Sequence, residues 1–390
     1  MKKILIVNSY YSPDILGGAE VSTQLLAESL AKHHKVCVLT TGSHKLGVKI
    51  DRVNGVEVFR LPCFNLYWQG RKKDRNPFLK LGWHLINTFS PLQYKLIDQV
   101  IKAINPDIIH TQNLSGIGTY FWKIAKKNRI PIVHTTRDYA LFEPVKSHLV
   151  NRILSYFNRE RSKYVDMVVG ISQYILDKHT SERFFLNSKK SVVFNVVNSK
   201  RYSRKEYRKG EPLIVGYFGQ LDRKKGIDQL VKAIQLIEDK IVDKLVICGT
   251  GDLEPELLKQ AQVDERIKLR GKIPLAAVNE QMAKVDLTVV PSVWEEPFGR
   301  VIIESYNQGT PVMATNVGGI PELMIHKEFL IHNKIQDNIK DLIERFSKID
   351  NQQMKQIIED NYTESLKYND NLSLYINIYD EILALKHDSY

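Results

Sequence analysis

Leu287-Thr288-Val289-Val290-Pro291-Ser292-Val293-Trp294-Glu295-Glu296-Pro297-Phe298-Gly299-Arg300-Val301-Ile302-Ile303-Glu304 reads as a strand, a polar turn and the start of a helix. The run Leu287–Val290 is apolar without alternation, as a strand buried on both faces of a parallel sheet should be. Gly299 lets the backbone approach a ligand closely. The free N–H groups of the helix that follows, at the positive end of its dipole, suit a phosphate. Glu304 lies five residues beyond Gly299 and Glu296 just before the helix, so both can face one pocket, where carboxylates accept several sugar hydroxyls.

The same punctuation recurs along the chain. Apolar, β-branched runs stand at Ile4–Val7, Val36–Leu39, Ile108–Ile109, Ile132–Val133, Met167–Val169 and Val192–Phe194, then at Leu213–Phe218, Leu245–Cys248, Ile267–Leu269 and Val312–Ala314. Helix-period segments such as Val21–Lys32, Gly226–Asp239 and Arg300–Gln308 separate them. This is a βαβ pattern running twice, which predicts an α/β protein of two Rossmann-like, doubly wound parallel-sheet domains facing across a cleft. The length of 390 residues suits two domains. The stretch 199–212, dense in Lys, Arg and Glu and without apolar period, is read as a linker between domains 1–198 and 213–350. Residues 351–390 read as helix, with an apolar stripe Leu374, Ile378, Ile382, Leu385 able to pack back towards the first domain.

Composition narrows the class. Apolar residues make up 43% and charged residues 26%, so core formation is expected throughout. The apolar run after Met1-Lys2-Lys3 is too short for a signal peptide, and nothing approaches the roughly 18 consecutive apolar residues of a membrane span. Cys37, Cys63 and Cys248, an odd number without metal-ligand spacing, read as buried thiols of a reducing cytoplasm. The net charge of +12 is unevenly held, since residues 1–200 carry 30 Lys and Arg against 14 Asp and Glu. The first half is therefore expected to meet something anionic.

Other loops following strands carry phosphate-binding chemistry. Gly219-Gln220-Leu221-Asp222-Arg223-Lys224-Lys225-Gly226 sits between a strand and a helix, where amides and lysines can hold a diphosphate or simply form a charged turn. Gly249-Thr250-Gly251 and Gly271-Lys272-Ile273 are tight strand exits. In the first half, His110 and the run His134-Thr135-Thr136-Arg137-Asp138 end strands; lone histidines are commonly structural, and substrate contact is the second reading.

The quoted segment resembles the E-x7-E signature of family 4 retaining glycosyltransferases of the GT-B fold. Val317-Gly318-Gly319-Ile320-Pro321-Glu322 is similar to that family's next loop, and Gly17-Gly18-Ala19-Glu20 to its glycine loop. The resemblance implies that Glu296 contacts the transferred sugar and Glu304 the nucleotide ribose. It further implies that Phe298, Gly299 and Arg300 open a phosphate-binding helix, that Gly17 and Gly18 face the donor phosphates, and that the Gly271–Ile273 backbone meets the nucleobase. Lys225 matches the family's diphosphate lysine; Gln220 stands where arginine is usual, with Arg223 or Lys224 as substitutes. Arg137 stands where the family has histidine before Asp138, and both are assigned to the reacting sugar. The donor is then a UDP- or GDP-linked sugar and no further cofactor is needed. No Asp-x-Asp triplet suggests a metal.

The acceptor implied is a glycan or a polyprenyl-diphosphate-linked glycan in bacterial surface polysaccharide synthesis, placing the protein in the cytoplasm or peripherally on the inner face of the membrane. Phe64–Phe78 interleaves aromatics with Arg71, Lys72, Lys73 and Arg75, and a Phe78, Leu81, Leu85, Phe89 stripe follows. These are either a surface loop and a core helix or a patch for an anionic membrane and lipid-linked acceptor. A nucleotide-sugar epimerase is the alternative enzyme, against which the E-x7-E segment speaks. A dinucleotide dehydrogenase is disfavoured because Asn8-Ser9-Tyr10-Tyr11 replaces G-x-G-x-x-G. Nucleic acid is not expected as a partner, since no binding module accompanies the charge.

Overall fold

The computed structural model describes residues 1–70, 75–145, 147–197, 199–332 and 335–387. The chain divides into two compact units, Met1–Val196 with Asn371–Tyr390, and Val197–Asp370.

The first unit holds β1 (Lys3–Val7), β2 (Lys35–Thr41), β3 (Lys49–Val53), β4 (Val56–Leu61), β5 (Ile108–Thr111), β6 (Ile132–Thr136), β7 (Met167–Gly170) and β8 (Lys189–Val192). They form one sheet in the order β3-β4-β2-β1-β5-β6-β7-β8. All pairs are parallel except β3 on β4. That hairpin was not among the expected strands. Its turn is Asn54-Gly55, both at positive φ, the backbone a two-residue type I′ turn demands. The run Val192–Phe194, expected as a strand, pairs only from Lys189 to Val192.

The second unit holds β9 (Leu213–Phe218), β10 (Val242–Cys248), β11 (Ile267–Gly271), β12 (Leu287–Val290), β13 (Val312–Thr315) and β14 (Leu330–Ile331). Every pair is parallel, in the order β11-β10-β9-β12-β13-β14. The strand order reverses between β9 and β12, so the loops leaving their carboxyl ends open side by side, where such sheets bind ligands. In the first unit the reversal falls between β1 and β5.

Two expectations meet a different packing. The stretch 199–212 contains no helix or strand among its described residues and is strapped onto the second unit. Arg204 donates to Val285 O at 3.1 Å and Thr310 Oγ1 at 2.8 Å. Lys205 Nζ pairs at 2.8 Å with the buried carboxylate of Asp286, which also accepts from Ile214 N. The tail forms two helices, Asn351–Leu366 within the second unit and Leu372–His387 within the first. The buried face of the last helix is Tyr375, Ile378, Tyr379 and Ile382, packed among Ile4, Ile6, Val38 and Ile108. Leu374 and Leu385, expected on that stripe, are exposed. Cys37 and Cys248 are buried, whereas Cys63 is half-buried.

Candidate functional site

In the second unit three loops interlock at the strand-order reversal. The turn after β9 ends in Gly226, at φ +69°, where an added Cβ would lie 1.8 Å from Pro291 O. Only glycine permits that approach. Lys224 O accepts from the amides of Val293 and Trp294 at 2.9 and 3.1 Å, tying this turn to the one after β12. Glu296 O in turn accepts from Gly319 N at 2.7 Å, tying in the loop after β13. Thr315 Oγ1 adds a bond to Ser292 O at 2.6 Å.

These contacts aim two charged side chains at each other. Lys225 Nζ lies 2.5 Å from Glu296 Oε1, which also accepts from Ser292 Oγ at 2.7 Å. Lys225 stands 5.3 Å above the Trp294 ring centroid. Both members of the pair are largely buried, with 27% and 13% of their side chains exposed. The arrangement presents one cation and one carboxylate to a single point, as recognition of an anion beside a polyol requires.

One helical turn on, Arg300 Nε donates to Glu304 Oε1 at 2.6 Å. Glu304 is buried, and burial pushes its carboxyl above its ordinary value against the opposing pull of Arg300. The helix Arg300–Asn307 begins at Gly299, at φ +103°. Phe298 is buried against Tyr368, so what it can offer a ligand is its backbone. Gly271 stands at the end of β11 at φ +64° with open space above it, and Ile273 packs on Phe218 and Val246. Gln220 is exposed, and its carbonyl accepts from Tyr217 Oη at 2.6 Å. Arg223 is drawn to Glu256 at 2.9 Å and Asp228 at 3.8 Å. Of the two basic substitutes considered for Gln220, this one is held by carboxylates.

In the first unit Gly17 caps the helix Gly18–Ala31, and its N–H donates to Glu20 Oε2 at 2.8 Å. Glu20 is buried and its carboxyl pushed up by that burial, with Arg137 among the groups lowering it. Arg137 donates to Gln112 Oε1 at 2.7 Å and to Asn195 Oδ1. Asp138 accepts from Asn113 Nδ2 at 3.2 Å and from Ala140 N at 2.9 Å. Arg137 and Asp138 line a cavity of about 300 Å3 of mixed polar and apolar wall, together with Gln112, Asn113, His134, Asn158, Trp83 and Leu141.

The histidines divide. His110 is fully buried between Tyr379 Oη and Thr135 Oγ1, both at 2.7 Å, and desolvation pulls it down to about 3. It is a neutral core group. His134 reaches the cavity wall, yet it is buried against Trp122 and Phe185 and bonded to Thr111. Gln112, Asn195 and Ser292, which set the directions of Arg137 and Glu296, were not picked out from sequence. Amides and a serine carry no motif.

Arg71, Lys72, Lys73 and Asp74 lie outside the described residues. Beside them, Trp68 is held by Thr41 Oγ1 at 2.9 Å and by the edge of Tyr10. Arg75 covers the Tyr67 ring at 4.0 Å. The Phe78, Leu81, Leu85, Phe89 stripe lies on the helix Pro77–Thr88 and just beyond its end, where Phe78, Leu85 and Phe89 are exposed and the buried members of the helix are Trp83 and Thr88. It is not a core stripe.

Comparison with known proteins places this architecture in a class. The structure resembles that of sucrose-phosphate synthase from Thermosynechococcus elongatus, with a TM-score of 0.75 at 19% identity, covering 99% of this chain and 100% of that one. Anabaena HepE in complex with UDP gives a TM-score of 0.71 at 19% identity, over 98% and 100% of the two chains. The fold is GT-B, that of a large class of glycosyltransferases. Residues 16–201 match Glycosyltransferase Family 4 and residues 198–364 match Glycosyl transferases group 1. A Klebsiella pneumoniae relative, "Uncharacterized 42.6 kDa protein in cps region", is 38% identical over 333 residues, 82% of this chain and 87% of that protein. The N-acetyl-alpha-D-glucosaminyl L-malate synthase of Bacillus anthracis is 25% identical over 80% and 79% of the two chains. The chain belongs to the group 1, family 4 glycosyltransferases.

Proposed function

We propose that this glycosyltransferase moves a sugar, with retention of configuration, from a UDP- or GDP-linked donor to a glycan or polyprenyl-diphosphate-linked glycan during assembly of a surface polysaccharide. The observation that carries the reading is the Lys225–Glu296 pair at the strand-order reversal of the second unit. Cleaving a sugar–diphosphate bond builds negative charge on the leaving phosphate and positive charge on the sugar ring. Lys225, with the amides from Phe298 to Arg300, is assigned to the leaving diphosphate, where preorganised donors act most strongly. Glu296 is assigned to hydroxyls of the transferred sugar and Glu304 to the ribose. With protein cations and amides neutralising the diphosphate, transfer proceeds without a metal. Retention is assigned to front-face attack assisted by the donor phosphate.

Two structures of Anabaena HepE, one with UDP and one with UDP-glucose, support the donor class. The cps-region relative supports the polysaccharide setting. Arg137 and Asp138 are assigned to the reacting sugar, and the basic first half to an anionic acceptor at the inner membrane face, held peripherally; among the described residues no helix is long and apolar enough to cross a membrane. The test is thermal-shift screening against nucleoside diphosphates and nucleotide sugars. A ligand at 100 times its dissociation constant stabilises by about 2.7 kcal/mol. A UDP or GDP compound should stand out, and a flat panel would remove the donor assignment.

A further inference from the structure

A further cation of the first unit stands beside the cavity that holds Arg137, in a groove that shares Thr88 with it. Arg161, on the helix His148–Ser162, is half-buried beneath aromatic rings, its Cζ lying 5.6, 5.7 and 5.8 Å from the ring centroids of Phe89, Phe157 and Tyr120. Among the described residues its guanidinium donates to Thr119 Oγ1 at 3.2 Å. Among the described residues no carboxylate pairs with it, and burial pulls the guanidinium below its ordinary value. The neighbouring Glu160 is held by Lys163 at 2.8 Å. Arg161 and the exposed Lys123 line an open groove of about 560 Å3 walled by Tyr94, Tyr120 and Phe157. A half-buried cation without a counter-ion is costly unless a ligand supplies the anion.

The rim of the groove is apolar where a soluble surface is usually polar. Phe89 lines it, and Leu92 follows the lining residue Pro91 in sequence; the two are 47% and 74% exposed. Phe89 meets Phe157 edge-on at 4.8 Å, which joins the end of the helix Pro77–Thr88 to the helix His148–Ser162. On the latter, Leu149, Ile153, Phe157 and Arg161 follow at four-residue spacing, so they share one face, and Leu149 and Ile153 are exposed. No Asp or Glu occurs in residues 76–97 or 147–159, while Lys80, Lys95, Arg152 and Arg159 do. Exposed apolar residues among cations that outnumber the nearby Glu143, Glu160 and Glu182 match one partner chemistry, an anionic bilayer that takes side chains into its interface and offers phosphates to the cations.

We propose that this face of the first unit docks on an anionic membrane, with the groove of Arg161 and Lys123 holding a lipid headgroup phosphate and Phe89, Leu92, Leu149 and Ile153 entering the interface. The surface uses no residue of the basic segment 71–75, and it rests on the membrane-side acceptor proposed above. The test is co-sedimentation with vesicles of phosphatidylglycerol and phosphatidylcholine, and with phosphatidylcholine alone. Lys123→Ala should weaken binding to the anionic vesicles about fivefold, the effect of one basic residue near such a surface. Leu92→Ser should weaken binding to both kinds by about tenfold or more. Both positions are exposed, so unfolding does not confuse the result, and Arg161→Gln extends the series if its thermal midpoint is kept. Transfer to a water-soluble glycan acceptor is followed in the same samples. Vesicle binding that responds as described in a chain showing no transfer would sink the acceptor reading and keep the surface. Parent protein that ignores anionic vesicles, or variants that bind like the parent, would overturn the surface.

Discussion

Lys225 Nζ and Glu296 Oε1, 71 positions apart in sequence, lie 2.5 Å apart and join the loop after β9 to the loop after β12. A lysine in a charged turn and a glutamate before a helix are each unremarkable. The reversal of strand order between β9 and β12 places them together and gives one point both signs of charge.

The two glutamates should separate kinetically. Glu296→Ala is expected to lower turnover by about 10²-fold or more, the usual effect of removing one transition-state contact, with UDP or GDP affinity little changed. Glu304→Ala should weaken nucleoside diphosphate binding instead, and Glu304→Gln, which can still accept from Arg300, should weaken it less. Calorimetric titration beside steady-state kinetics distinguishes them. Equal loss of nucleoside diphosphate affinity in both alanine variants would reverse the assignment.

Gly318 is the hinge on which the Glu296 backbone rests. An added Cβ would lie 2.3 Å from Glu296 O and 2.6 Å from Glu296 N, at φ +59°. Gly318→Ala must therefore push that loop aside or strain both, at a cost of about 1–3 kcal/mol. Turnover should fall more than the thermal midpoint would suggest. Unchanged kinetics in a folded Gly318→Ala protein would show that the placement of Glu296 is immaterial.

Charge neutralisation by Lys225 predicts that transfer survives EDTA and that Lys225→Ala abolishes it. Loss with EDTA and recovery with magnesium or manganese would refute the metal-independent assignment.

Acid should loosen the first unit through its buried histidines. His179, packed against Phe142 and Phe185 and bonded to Thr136, is pulled down to about 4 by burial. A group whose value is depressed on folding gives stability that is complete above its ordinary value, near 6.5, and is lost as pH falls through the folded value. The window is thus about pH 6.5 to 4, at about 1.4 kcal/mol per pH unit for one group. Glu304, raised by burial, acts in the opposite sense as pH rises above its ordinary range, so the comparison of variant with parent is the readout. His179→Gln should show a shallower loss of thermal stability between pH 6.5 and 4.5. Parallel curves would remove the histidine from the account.

Local pattern determined most of the architecture. The unalternating runs from Leu213 to Ala314 could be little else than buried parallel strands, and Pro291–Glu304 carries its strand exit, glycine and helix start within one window. Local pattern also held a signal that went unread, Asn54-Gly55, which makes the β3–β4 hairpin. The packing of the tail was another matter. A helical stripe at Leu374, Ile378, Ile382 and Leu385 fits the period of 3.6, but Tyr375 and Tyr379 fit it equally, and it was the sheet of the first unit that selected the tyrosine face. The Phe78–Phe89 stripe has the same period as a core helix, yet Phe78, Leu85 and Phe89 are exposed and the fold buries Trp83 and Thr88 of that helix instead. Periodicity states that a helix has an apolar face; which surface covers it depends on residues far away in sequence. The same holds for charge. Arg223 and Lys225 are equivalent cations in one loop, yet Glu256 holds the first and Glu296 receives the second. Only the order of strands across the sheet decides that.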